Sequence, residues 1–189
     1  MSDEMVGVVL EEATDKMDKA VAHCRSEFSG VRSGRASSAL VERLVVEYYG
    51  ADVPLRQLAS FSVPEARQLL VAPFDKGSMA AIEKAIRNSD LGLNPSNDGH
   101  VIRLSFPALT EERRHELVRL VRGMAEEGRI HVRNLRRAAR HELGGLEKDG
   151  DLSEDELVRA EKELDKVTHA KETEIDQALE AKERELLES

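Results

Sequence analysis

Apolar residues recur every three or four positions in three long runs of this chain, and between the first two runs the repeat gives way to short β-rich stretches. The first run spans about Asp3 to Ser29, with Val6, Val9, Leu10, Ala13, Met17, Ala20, Val21, Cys24 and Phe28 on one face. That spacing predicts an amphipathic helix, interrupted at Gly30 and Gly34. A second helix is predicted from Thr110, a suitable N-cap, with Glu111 and Glu112 beside the positive end of the helix dipole. It is expected to run to about Leu143 and to be stopped by Gly144-Gly145. Gly123 and Gly128 lie inside it, and each costs up to about 1 kcal/mol relative to Ala, which predicts local softness. A third helix follows Ser153, where Ser153-Glu154-Asp155-Glu156 matches a capping box, and carries Leu157, Ala160, Leu164, Val167, Ile175, Leu179 and Leu186.

Residues 43–49, 58–63, 68–72 and 101–106 read as strands, punctuated by Gly50, Pro54, Pro64, Pro73 and Asn94-Pro95. One short helix, about Ser78 to Asn88, places Met79, Ile82, Ala85 and Ile86 on one side. The predicted fold class is therefore α+β with two domains: a long antiparallel three-helix bundle, residues 1–30 and 107–189, with a small, mostly β domain inserted at 31–106. Gly30-Val31-Arg32-Ser33-Gly34 and Phe106-Pro107 mark the two chain crossings, near 30–34 and 105–108, which read equally as plain linkers or as a swivel.

Composition agrees with a bundle, since 34% of residues are charged and only 3% aromatic, with no Trp. A lone Cys24 permits no internal disulfide, and no closely spaced Cys/His set offers metal ligands. No apolar run approaches the roughly 20 residues needed to cross a bilayer, and Met1-Ser2-Asp3-Glu4 is acidic where a signal peptide would be basic. The expectation is a cytoplasmic protein without metal or cofactor. The six histidines are scattered, and neither a nucleophile elbow nor a phosphate loop is present, so no enzyme is expected.

The formal net charge of −9 hides a strong asymmetry. Residues 113–141 carry nine Lys/Arg against three Asp/Glu, whereas residues 142–189 carry seven against seventeen. On a helical wheel at about 100° per residue with Arg129 at zero, Arg133, Arg136, Arg137 and Arg140 fall within a stripe roughly 100° wide, and Arg119 and Arg122 join it. Leu117, Leu120, Val121, Met124, Val132, Leu135, Ala138 and Ala139 are expected on the opposite side. Arginine forks bind phosphate bidentately and stack on bases, so the stripe suits RNA. The same pattern also fits arginines paired with carboxylates of a neighbouring helix, and the sequence leaves both readings open. A coiled-coil adaptor docking through its acidic third helix is the corresponding alternative function.

The blocks Ser33-Gly34-Arg35-Ala36-Ser37, Val45-Val46-Glu47-Tyr48-Tyr49-Gly50, Pro54-Leu55-Arg56-Gln57-Leu58-Ala59, Ser89-Asp90-Leu91-Gly92-Leu93-Asn94-Pro95, Leu109-Thr110-Glu111-Glu112-Arg113-Arg114 and Val132-Arg133-Asn134-Leu135-Arg136-Arg137 resemble signature segments of bacterial ribosome recycling factors. The resemblance spans essentially the whole chain. It implies an L-shaped monomer that enters the post-termination ribosome, contacts large-subunit ribosomal RNA through its bundle, and works with elongation factor G, to which GTP hydrolysis belongs. It further implies RNA contacts by Arg133, Asn134, Arg136 and Arg137, with Arg136 foremost, and places Arg32, Arg35 and Arg114 near the elbow or the bundle end; the helical wheel adds Arg122, Arg129 and Arg140, and with them Arg114 is expected to join the RNA contacts. Gly30, Arg32, Gly34, Arg35, Phe106 and Pro107 would form the elbow. Two departures stand out: Ser38 replaces a usual Pro, and Ala138-Ala139-Arg140 replaces a usual Asp-Ala-Asn, which adds a cation to the stripe.

Overall fold

The computed structural model describes residues 2–188; the two terminal residues lie outside the described range. The chain divides into two compact units, one made of residues 2–31 and 111–188, the other of residues 32–110.

Three helices build the first unit: α1 (Ser2–Gly30), α3 (Glu111–Lys148) and α4 (Glu154–Glu188), with α2 (Met79–Arg87) lying in the other unit. Each of the three contacts both others. The buried residues of α1 are Val9, Ala13, Met17, Ala20, Val21, Cys24 and Phe28, the face that the apolar repeat marks. Gly30 is the last residue of α1 and not an interruption of it.

Helix α3 passes unbroken through Gly123, Gly128, Gly144 and Gly145 and ends at Lys148 rather than at Leu143. The loss of about 1 kcal/mol per glycine is smaller than what burying Leu117, Val121, Val132 and Leu143 contributes at roughly 1.5–3 kcal/mol each. The stop comes instead from Gly150, at φ 83°. Its N–H donates to the Glu147 carbonyl at 3.0 Å, and the Asp151 N–H donates to that of Leu146 at 2.9 Å. This pair of bonds, closed by a residue in the left-handed region, is a Schellman terminus.

The predicted capping box opens α4. Ser153 donates its backbone N–H (2.8 Å) and its hydroxyl (2.7 Å) to Glu156 Oε2, and the Glu156 N–H returns a bond to Ser153 Oγ at 3.3 Å. Ser2 of α1 donates its hydroxyl to Glu156 Oε1 at 2.8 Å. These donors hold the Glu156 carboxyl well down, from 4.5 to about 2, with the Ser153 backbone bond the largest cause.

At Gly128 the three helices meet closely. A Cβ there would meet Cys24 Sγ at 3.2 Å and Ile175 Cδ1 at 3.4 Å, so a missing side chain lets α1, α3 and α4 close on one another. The softness expected at this position is replaced by tight contact. The Cys24 thiol is buried, and burial, reinforced by Glu27, pushes its pKa up despite Arg129.

The second unit pairs strands β1 (Val45–Tyr48) and β2 (Ala51–Pro54) in a hairpin. Its Tyr49-Gly50 turn has both residues at positive φ, the geometry of a two-residue type I′ connection. A separate antiparallel sheet, ordered β3-β4-β6-β5, contains β3 (Ala59–Glu65), β4 (Gln68–Pro73), β5 (Pro95–Asn97) and β6 (Ile102–Ser105). Helix α2 (Met79–Arg87) packs chiefly against β1 and also meets β5, and Val41, Val46, Leu55, Leu69, Val71, Ile82, Ile86, Ile102 and Leu104 form the core. Strands β2 and β5 were not expected. Phe106, expected at the elbow, belongs to this core and donates its N–H to the Arg67 carbonyl at 2.8 Å. Gly34, at φ 78°, brings its backbone so near Leu109 that a Cβ would lie 3.3 Å from Leu109 Cγ.

Two outcomes follow for stability. Gly123→Ala, whose Cβ enters open space, should raise unfolding free energy by about 1 kcal/mol, whereas Gly128→Val should lower it by about 1–3 kcal/mol, both read from urea denaturation. Because the folded Glu156 pKa lies below its unfolded value, its contribution is complete above about pH 5 and is lost as pH falls toward 2. Denaturation midpoints of Glu156→Gln should therefore be lower than those of the unaltered protein near neutrality, and the difference should shrink on acidification.

Candidate nucleic-acid interface

The basic stripe of α3 sits beside the helix's buried seam, not opposite it. Buried Leu117, Val118, Val121, Ala125, Val132, Ala139 and Leu143 centre at about −60° on the wheel with Arg129 at zero, so the arginines near 0–40° border the groove toward α4. Leu120 and Ala138, expected on the apolar side, are exposed, Leu120 by 48%. The expected clean separation of apolar and basic faces is thus corrected to adjacency.

Across that border runs a ladder of ion pairs. Arg122 Nε donates to Glu183, and Arg129 Nη2 lies 2.7 Å from Asp176 Oδ1. Arg133 Nε meets Glu172 Oε1 at 2.7 Å, Arg136 Nη1 meets Asp165 Oδ1 at 3.3 Å, and Arg140 Nε meets Glu161 Oε1 at 2.8 Å. Within α3, Glu126 adds contacts to Arg129 (2.9 Å) and Arg133 (3.6 Å). Donating hydrogen bonds to the carboxylates of Glu183 and Glu161 raises the pKa of Arg122 and Arg140. For Arg129, burial opposes the charge, but Asp176 and Glu126 outweigh it and the net shift is upward. Of the two alternatives left open by the sequence, these five arginines take the paired one.

Pairing does not consume them equally. Arg129 is only 20% exposed, while Arg122 (61%), Arg133 (45%), Arg136 (37%) and Arg140 (58%) keep part of each guanidinium toward solvent. A guanidinium carries five N–H donors, so one or two bonds to a carboxylate leave others for an incoming anion. Arg136 Nε is buried without a hydrogen-bond partner. Farther round the wheel, Arg119 and Arg137 are exposed, and neither has a carboxylate partner among the described residues; Arg137 reaches only Asn134 Oδ1, at 3.4 Å. Arg114 is half-buried, with Nη1 3.5 Å from the Leu187 carbonyl and Nε unpartnered. In the second unit, Arg32 and Arg35 are exposed. Among the described residues no group of His, Cys, Asp or Glu could hold a metal ion, and no helix is long and apolar enough to cross a membrane.

The residues that sequence reasoning missed are the acidic partners on α4. A signal was present: Arg122, Arg129 and Arg133 advance along α3 by the same seven- and four-residue steps by which Glu183, Asp176 and Glu172 retreat along α4. Such matched steps are what two antiparallel helices need to face each other rung by rung.

Fold and surface define a two-unit binding protein, a three-helix bundle interrupted by an α+β insert and edged with arginine. Residues 24–187 match the family model described as ribosome recycling factor. The ribosome-recycling factor of Cutibacterium acnes is 56% identical over 180 residues, covering 95% of this chain and 98% of that protein. The one from Mycobacterium avium is 50% identical, covering 97% and 100%. Among solved structures, a solution structure of the ribosome recycling factor superposes with a TM-score of 0.74 at 46% identity, covering 97% of this chain and 98% of that one. A second, at TM-score 0.63 and 48% identity, covers 96% and 98%; it comes from models of the T. thermophilus ribosome recycling factor and E. coli elongation factor G bound to the E. coli post-termination complex. The chain belongs to the ribosome recycling factor family, and its function is ribosome recycling.

A double-mutant cycle on Arg133 and Glu172 should return a coupling of only about 0.2–1 kcal/mol, as for other exposed pairs, falling further in molar salt. A larger, salt-independent coupling would show that the ladder is a stability element first.

Proposed function

We propose that this protein binds the post-termination ribosome through large-subunit ribosomal RNA and, with elongation factor G and GTP, splits the subunits so that they leave the mRNA for new initiation. The protein acts by binding, as a monomer in the cytoplasm, and GTP is consumed by its partner. The observation that carries this reading is the outer edge of α3, where Arg119 and Arg137 have no carboxylate partner among the described residues and Arg122, Arg133, Arg136 and Arg140 offer donors left over from their ion pairs. Support for the partner comes from the structural relative, which is described together with elongation factor G on the post-termination complex.

In this reading the α4 carboxylates hold the guanidinium forks in place, and phosphates approach from the solvent side. The arginines then lose little conformational freedom on binding, because their stems are already fixed. Arg129, the most covered of the set, serves the bundle more than the RNA. The chain crossings at 30–34 and 105–108, with Gly30, Arg32, Gly34, Arg35 and Pro107, form the swivel through which the insert transmits the push of elongation factor G; Phe106 anchors the insert side of that swivel.

The test is equilibrium binding to purified large subunits across a salt series. Arg136→Ala and Arg137→Ala should each weaken binding and lower the slope of log K against log salt by roughly 0.7–0.9, the loss of one phosphate contact. Unchanged affinity and slope in both variants would remove α3 as the RNA-facing element.

A further inference from the structure

The tip of the β1–β2 hairpin carries three features that folding alone does not reward. Tyr49, at φ 50°, is the one residue other than glycine with positive φ among the described residues, in a turn that asparagine or glycine fills with less strain. Glu47 and Asp52 stand directly opposite each other across the strands, where like charges repel. Val45, Tyr49 and Phe74 are exposed by 59%, 84% and 71%. We propose that this tip docks a basic segment of a partner protein, whose arginine or lysine side chains stack on Tyr49 and pair with Glu47 and Asp52, independently of any RNA contact by α3.

Charge decides what kind of partner fits. Glu47 and Asp52 are exposed and have no ion-pair or hydrogen-bond partner among the described residues. Arg43 and Arg56 flank the hairpin and Lys76 follows Asp75, yet none of them pairs with either carboxylate. Asp75 itself is already used: it accepts the Gly77 N–H at 2.9 Å and the Tyr48 hydroxyl at 2.8 Å, and these bonds lower its pKa. Two uncompensated carboxylates repel a phosphate backbone and attract a cation. The open face of Tyr49 adds to that preference, because the ring quadrupole draws an arginine or lysine. Unpaired bases also stack on aromatic rings, but here the carboxylates stand against them.

Shape decides how the segment lies. Side chains alternate along both strands, so Val46, Tyr48 and Val53 face the insert's core while Val45, Glu47, Asp52 and Pro54 form the outer face. Strands β1 and β2 make a sheet of their own, which leaves a strip two strands wide with the Tyr49 turn at its end. The tyrosine ring is held before any partner arrives. It packs edge-on against Tyr48 with centroids 4.5 Å apart, and its hydroxyl lies where a Cβ on Gly77 would be 3.5 Å away. A side chain fixed in advance loses little freedom on binding.

The chain has no Trp and two tyrosines, Tyr48 and Tyr49, so its intrinsic tyrosine emission reports on this tip alone. The full-length protein is titrated with a short peptide of alternating arginine and leucine, with the same peptide carrying glutamine for arginine, and with a single-stranded oligoribonucleotide. The arginine peptide should change the emission saturably, and molar salt should weaken the effect. Two variants, the double substitution Glu47→Gln with Asp52→Asn and the single Tyr49→Asn, should each raise the half-saturating peptide concentration by about fivefold. Both should fold, since the first removes a like-charge clash and asparagine suits a positive φ; Tyr48 still reports in the second. Unchanged half-saturation in both variants, an equal response to the glutamine peptide, or a response to the oligoribonucleotide alone would overturn the proposal. So would emission that changes with protein concentration in the absence of peptide, because a second copy would then be what covers the tip.

Discussion

The buried seam of α3 has to serve two neighbours at once, because α1 and α4 both pack against it. Leu117, Val121, Ala125, Val132, Ala139 and Leu143 fill that seam, and the residues on its α4 side are then held at the border between apolar packing and water. Long side chains suit such a border, since an arginine can lay its stem along the seam and keep its fork outside. Their forks meet α4, and α4 answers with carboxylates at matching intervals. The ion-pair ladder is thus a result of where the apolar seam lies, and it adds little stability of its own.

Close approach of the helices depends on small residues at the right heights. Gly128 admits the Cys24 thiol and the Ile175 side chain, and Ala125 and Ala139 above and below keep the seam shallow. The same residue type does different work elsewhere in α3. Gly144 and Gly145 face open space, where their lack of side chains shapes the surface rather than the core.

The helices were legible because a repeat of three and four residues survives any tertiary arrangement, and every buried residue of α1 lies on the face it marks, with only Val6 and Leu10 of that face half-buried. The capping box of α4 was legible for a similar reason: its bonds are local. What could not be read was the rotation of α3 relative to its neighbours, which decides whether Leu120 is buried and whether Arg133 is paired. Periodicity gives an apolar face but not the neighbours on its two sides. The end of α3 was misplaced because two consecutive glycines look like a stop, whereas the decisive residue is Gly150, which alone there has positive φ. Strands β2 and β5 escaped notice because they are three or four residues long and carry Asp52, Ser96 and Asn97, with no alternation to detect.

If the arginines contact RNA as proposed, the carboxylates alongside them also govern which nucleic acids the protein ignores. Any polyphosphate must displace or share the acidic row on α4, and it approaches a molecule of formal charge −9, so loose electrostatic attraction to arbitrary RNA is weak. Only a surface whose shape brings several phosphates to the exposed fork edges together recovers enough contacts to hold. On that proposal, a factor of this design passes over transcripts and transfer RNA until it meets the one particle that fits.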